Sequence, residues 1–143
     1  MNIVGAIIGG ILGTLAMLAF FLVSPTRMGM FKLDVVSYVG LMFTAKLNLA
    51  RLTGLAILNF NGAVLAIISA FLWDNNIGSA TWLWGLLFGA VLGCLSLLAM
   101  LILDRIHPRP GDSEVASQRT IAVILWLGHL VYGLITVLVY NVF

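Results

Sequence analysis

His129 is the only histidine, carboxylate or basic side chain inside any of the long apolar runs of this sequence. A neutral imidazole within a membrane can ligate a haem iron or a pigment magnesium, relay a proton, or hydrogen-bond to another helix. Gly128 and Gly133 beside it leave room for a flat macrocycle or for a second helix. A bis-histidine haem needs a second membrane histidine, and the only other one, His107, falls in a polar loop next to Pro108. An interhelical hydrogen bond is therefore the favoured reading of His129, with cofactor ligation and proton chemistry or substrate contact as the alternatives. Asn59 and Asn61 lie at a comparable depth, so Asn59 is the expected partner, with Thr14 or Tyr132 nearby. Such a bond would fix helix register and contribute only about 1 kcal/mol.

Other chemistry is missing from the sequence. There is no carboxylate pair, Ser/His/Asp set, nucleotide-binding loop or metal-spaced cluster, which points away from an enzyme. Cys94 is alone in an apolar run, without a CxxC or Cys/His pattern, and reads as a small packing residue. No metal, and no cofactor beyond the haem or chlorophyll-type pigment that His129 could hold, is expected.

The elements that position these residues follow from composition. Of 143 residues, 62% are hydrophobic and 8% charged, against roughly a quarter charged in a soluble domain. A bilayer core of about 30 Å needs about 20 apolar helical residues. Four runs meet this, at about 3–23, 55–73, 81–103 and 121–140, each free of Asp, Glu, Lys and Arg. Backbone in hydrocarbon must bond to itself, so these runs are helices. The alternating segments of a barrel are absent. One transmembrane domain covering 1–143 is expected. The first span has no basic region before it and exceeds a signal-peptide core, so it is expected to be retained.

All seven Lys and Arg fall in two connections: Arg27, Lys32, Lys46 and Arg51 between spans one and two, and Arg105, Arg109 and Arg119 between spans three and four. Basic loops resist translocation. Both connections are therefore expected in the cytoplasm, and both termini outside it. Trp73, Trp82 and Trp84 flank the outer turn, where indole rings favour the interface. The net charge of +2, without a basic cluster, gives no nucleic-acid face.

Within the first connection, Asp34, Ser37, Thr44, Asn48 and Arg51 recur at helical spacing, with Leu41 as the one break, opposite Val35, Val36, Val39, Met42, Phe43, Leu47 and Ala50. The pattern predicts an interfacial amphipathic helix over about 33–52, with Lys32, Lys46 and Arg51 placed to meet anionic head groups. Ser24-Pro25 ends the first span. The second connection, around Asp104–Thr120, reads as a polar loop punctuated by Pro and Gly, with a turn starting at Asp112, Ser113 and Glu114.

Spans one and three match position by position. Gly5, Gly9 and Gly13 align with Gly85, Gly89 and Gly93, and Thr14, Leu15 and Ala16 with Cys94, Leu95 and Ser96. Spans two and four match more weakly, Asn59 with His129 and Ala63 with Gly133. This predicts two parallel-repeat hairpins, each with glycines four apart on one packing face. Spans one and three are then expected to be the tightly packed pair. The predicted class is an all-α membrane protein: four transmembrane helices as two such hairpins, plus the interfacial helix.

Three features together resemble a family of small bacterial four-helix integral membrane proteins defined only as a domain of unknown function. They are the glycine-spaced first span closing with Thr14 and Met17, the segment Met28-Gly29-Met30-Phe31-Lys32-Leu33-Asp34, and Gly128-His129-Leu130-Val131-Tyr132-Gly133. The resemblance covers nearly the whole chain. It implies four spans with an inner repeat and a bacterial inner-membrane location, and it transfers no activity. Members of that family often carry a histidine in the second span; this chain has Asn59 there.

The leading functional expectation is a non-catalytic accessory or structural subunit of a larger membrane complex, with membrane lipids and other integral membrane subunits as partners. The alternatives are a small oligomeric transporter or channel, and a haem- or pigment-binding subunit of a respiratory or photosynthetic assembly. Bound lipid is the expected non-protein component.

Overall fold

A computed structural model describes residues 1–23, 34–106 and 118–143. Expectations for Ser24-Pro25, Arg27, the 28–33 motif, His107–Arg109 and the turn at Asp112–Glu114 lie outside the described residues. So do those for the side chain of Arg119. The described residues form five helices and no strands: α1 (Ile3–Val23), α2 (Val35–Leu41), α3 (Leu47–Asp74), α4 (Trp82–Ile106) and α5 (Gln118–Tyr140). Four of them, all but α2, are long and apolar enough to cross a membrane.

The helix ends have local causes. The Asn2 carboxamide accepts from the Gly5 amide at 2.9 Å and starts α1. At the end of α3, Asn76 takes a left-handed φ of 61°, the Ile77 amide donates to Leu72 O and the Asn76 amide to Trp73 O. That pair of bonds closes the last carbonyls of the helix. Gly78 follows at φ 87°, with the Trp84 ring against it where a side chain would stand.

Side by side, the principal contacts run α3–α1–α5–α4, with α2 packed on α3. Close approaches show the directions. Gly10 of α1 meets Gly62 and Ala66 of α3, Gly9 and Gly13 of α1 meet Thr136 and Tyr132 of α5, and Gly89 of α4 meets His129 of α5. Each of these pairs is antiparallel. Helices α1 and α4 therefore point the same way, as the two halves of a parallel repeat require.

The expected pairing of α1 with α4 is corrected. No principal interface joins them. Both glycine stripes instead face α5. Gly5, Gly9 and Gly13 lie against Phe143, Thr136 and Tyr132, while Gly85, Gly89 and Gly93 lie against Val137 and Gly133, His129, and Trp126. A stripe of glycines marks a face that accepts a close neighbour. It carries no information about which neighbour, and α5 meets the stripes with Tyr132 and Thr136 on one side and with Trp126, His129, Gly133 and Val137 on the other.

The interfacial helix expected over 33–52 is also corrected. The chain is helical only over Val35–Leu41, turns through Met42–Lys46 and re-enters a helix at Leu47 that runs unbroken to Asp74. The second half of the expected segment is thus the start of α3. At 28 residues, α3 is about 42 Å long, so its first two turns extend beyond a hydrocarbon layer of about 30 Å. The short α2 folds back antiparallel on this overhang. Gly40 abuts the Ala50 backbone and Gly54 abuts the Val36 carbonyl, each so closely that a methyl group would collide.

One end of the bundle is tied together by its polar termini. The Met1 ammonium is 2.8 Å from an Asp74 carboxylate oxygen, Asn2 N donates to Tyr140 Oη, and Asn141 Nδ2 donates to Ala80 O at 2.8 Å. Trp73 and Tyr140 meet edge to face there at 5.4 Å. Lys46, Arg51 and Arg105 sit at the other end, at the start of α3 and the end of α4.

Candidate functional site

Because α3 and α4 stand at the two ends of the row, the bundle leaves a space between them that α1 and α5 back. A cavity of about 410 Å³ fills it. Its walls carry Leu58, Asn61 and Leu65 from α3, Ser96, Ala99 and Met100 from α4, Thr14, Met17 and Phe21 from α1, and Leu125, His129 and Tyr132 from α5. Val35, Tyr38 and Val39 place α2 across the end nearest the basic residues. Among the described residues, no Asp, Glu, Lys or Arg lines it.

Tyr132 organises the inner wall. Its ring is buried with Met17 and Leu92 and passes Gly13 of α1. Its hydroxyl donates to Gly62 O on α3 at 2.6 Å. Thr14, one turn from Gly10, donates to the Gly10 carbonyl at 2.9 Å, and its hydroxyl fills the space where Gly62 lacks a side chain.

His129 is held from within its own helix. Nδ1 is 2.8 Å from Leu125 O. A carbonyl oxygen only accepts, so Nδ1 carries the proton of the neutral ring and Nε2 keeps its lone pair. Ser96 Oγ lies 3.5 Å from the same Nδ1, while its own hydrogen goes to Gly93 O at 2.8 Å. Both contacts of the imidazole are at Nδ1, which leaves Nε2 without a hydrogen-bond partner among the described residues.

The expected Asn59–His129 bond is absent. Asn59 Nδ2 donates to Leu55 O at 2.9 Å, and its Oδ1 is buried without a partner among the described residues. The reason is local: both polar side chains find a carbonyl one turn back on their own helix, and α1 stands between α3 and α5 in the row. Asn61, the neighbouring candidate, does line the cavity with His129 and Tyr132, and no hydrogen bond holds its exposed amide among the described residues.

Sequence reasoning thus brought Asn61, His129 and Tyr132 to one place and misplaced Asn59. It missed Gly62 and Thr136. Gly62 was visible as the one glycine within the 55–73 span. Thr136 donates to Gly9 O at 3.3 Å and had no distinguishing mark.

A second polar cluster lies outside the spans. Asp34 caps α2, accepting from Ser37 N at 3.0 Å and from Ser37 Oγ at 2.6 Å. Arg51 Nε is 3.4 Å from Oδ2, the same oxygen that accepts from Ser37 Oγ, and 3.4 Å from Ser37 Oγ itself. Burial works to raise the Asp34 pKa, but the Ser37 hydrogen bonds and the Arg51 charge outweigh it and hold the carboxyl below its ordinary value. Arg51, expected to touch lipid head groups, is thus engaged with α2 while remaining mostly exposed.

Fold and cavity define an all-helical protein with four helices able to span a bilayer and a ligand-sized recess between them. No family model, no curated protein and no solved structure matches the chain.

Proposed function

We propose that this chain is a non-catalytic integral membrane protein, an accessory subunit of a bacterial inner-membrane complex, that binds a lipid-soluble molecule in the cavity between α3 and α4. The cavity carries the reading. Its volume of about 410 Å³ lies within the range of small-molecule sites, and such sites are mainly apolar with a few placed polar groups. The outward faces of α3 and α4, with Phe60, Phe71, Leu87 and Leu98 exposed, are suited to lipid or to neighbouring subunits. The basic ends at Lys46, Arg51 and Arg105 support an orientation with the Asp74–Ala80 turn and both termini outside the cytoplasm.

Native mass spectrometry after mild-detergent purification tests this. The wild type should retain a small apolar molecule and stoichiometric partner subunits. Ala99→Trp, which fills the cavity from α4, should lose the molecule. A wild-type chain recovered without ligand or partner refutes the proposal. For orientation, an impermeant maleimide should label Ser79→Cys in intact cells and Lys46→Cys only after permeabilisation, each in a Cys94→Ser background.

One observation favours a second reading. A metal-ligating histidine ordinarily donates its other ring N–H to a carbonyl or carboxylate, as His129 does to Leu125. Nε2 would then be the axial ligand of a tetrapyrrole metal. A visible absorption band that disappears in His129→Ala would assign it that role; a transparent spectrum of the intact complex removes it.

A further inference from the structure

We infer that the cavity selects a neutral, mostly apolar molecule bearing a hydroxyl group, whose hydrogen is donated to Nε2 of His129. The inference rests on the reading that the cavity holds a lipid-soluble molecule, and it adds what that molecule must present.

Three observations converge. First, the proton of the imidazole is committed. Nδ1 donates to Leu125 O at 2.8 Å, so Nε2 of His129, a residue that lines the cavity, is an acceptor, and the described residues bring no donor to it. An acceptor inside a low-dielectric bundle gains from a donor and loses when left dry. Second, Tyr132 spends its hydrogen on Gly62 O, so toward the cavity its oxygen can only accept. At His129 and Tyr132 the protein therefore offers lone pairs, which a hydroxyl can meet and a ketone, ester or ether cannot. The Asn61 amide, free to donate, suits the lone pairs of that same hydroxyl or of a second oxygen.

Third, no Asp, Glu, Lys or Arg among the described residues lines the cavity. A phosphate, carboxylate or ammonium group would give up its hydration with no opposite charge to meet it. The occupant is accordingly neutral. Its size follows from about 410 Å³, which holds a ring with a short chain and not two full acyl chains. Phenols, alkyl alcohols and hydroquinones have this chemistry.

The test uses the full chain in phosphatidylcholine nanodiscs, with empty nanodiscs as the partition control. The probes are 4-heptylphenol and its methyl ether, in which a methyl group replaces the hydrogen that can be donated. The phenol is expected to bind about tenfold more tightly than the ether. It should also shift the ¹⁵N resonance of unprotonated Nε2 in histidine-labelled protein, where His107→Gln removes the other histidine signal. In His129→Phe the preference should fall to near unity while ether binding persists.

Equal binding of phenol and ether by the wild type, or a preference that survives His129→Phe, overturns the hydroxyl assignment and leaves the cavity reading standing. Binding of neither probe overturns both. If His129→Phe does not fold, the wild-type affinity ratio and the nitrogen shift decide the matter alone: a tenfold ratio with a shift supports the inference, and a ratio of one without a shift ends it.

Discussion

Tyr132 on α5 donates a 2.6 Å hydrogen bond to the backbone carbonyl of Gly62 on α3, reaching past α1 through the gap left by Gly13. The bond sets the back wall of the cavity and joins the two hairpins of the repeat. Tyr132→Phe keeps the ring and deletes the bond. The expected loss is about 0.5–1.5 kcal/mol, the usual range for hydrogen bonds between membrane helices. Reversible unfolding in mixed micelles measures it, and a change below the error of that assay would show that Gly62 is equally well satisfied without Tyr132.

The two glycine stripes should differ in tolerance along their length. A methyl group at Gly133 would meet the Gly85 carbonyl and stand 2.9 Å from the Gly89 Cα, both backbone atoms that cannot step aside. At Gly5 the neighbours are the Asn2 side chain at 2.9 Å and Phe143 Cβ at 3.2 Å, near chain ends that can move. Gly133→Ala is expected to cost about 1–3 kcal/mol by overpacking, and Gly5→Ala to fall within about 0.5 kcal/mol of wild type. Parallel unfolding curves would compare them, and equal costs would contradict the packing described.

The Asp34 cap gives α2 a pH dependence. Its folded pKa lies below the ordinary value of 3.8, so its contribution is complete above that value and is lost as pH falls through the lower, folded one. Protection of the Ser37 and Tyr38 amides, whose N–H groups bond to Asp34, measured against the intrinsic exchange rate at each pH, should be high at neutral pH and fall below about pH 4. Asp34→Asn keeps a capping oxygen and loses the exposed ion pair with Arg51, so it should weaken the attachment of α2 by no more than about 0.5 kcal/mol at neutral pH and flatten that acid response. Unchanged exchange in the variant would show that the Gly40 and Gly54 contacts alone hold the helix.

Asn59 is expected to be dispensable. Its Oδ1 is buried without a partner among the described residues, and its one hydrogen bond is to its own helix. Asn59→Leu exchanges an unsatisfied amide for an apolar group of similar size. Stability should be unchanged or higher by up to about 1 kcal/mol. A loss of more than that would reveal a bond to Asn59 made in the membrane.

Much of this architecture was legible because lipid imposes a simple rule. The first span was read to its residue limits, Ile3–Val23, since nothing but an unbroken apolar run fits there, and the two halves run the same way relative to each other, as expected. The fold-back of α2 was not legible. Helical spacing runs from Asp34 to Arg51 with Leu41, the last residue of α2, as its one break, and one apolar residue in a polar stripe does not by itself show that a chain reverses. Only the pairing of Gly40 with Ala50 and of Gly54 with Val36 shows it, a contact between residues that no local pattern links. The partner of each glycine stripe was hidden for the same reason. The approach of Asn61 to His129 and Tyr132 was recovered from depth alone, and the error at Asn59 came from overlooking the carbonyl four residues back.

The central place of α5 bears on assembly. Helices α1 and α4 each bury their closest-packing face on it, yet it follows both of them in the chain. During synthesis those glycine faces must wait, α1 for more than a hundred residues, before their partner arrives. Until then the bilayer holds a loose α1–α3 hairpin and an unattached α4. Insertion of the last helix is the event that converts them into one body, so a substitution that delays α5 should expose the nascent chain to quality-control proteases even when it barely alters the finished protein.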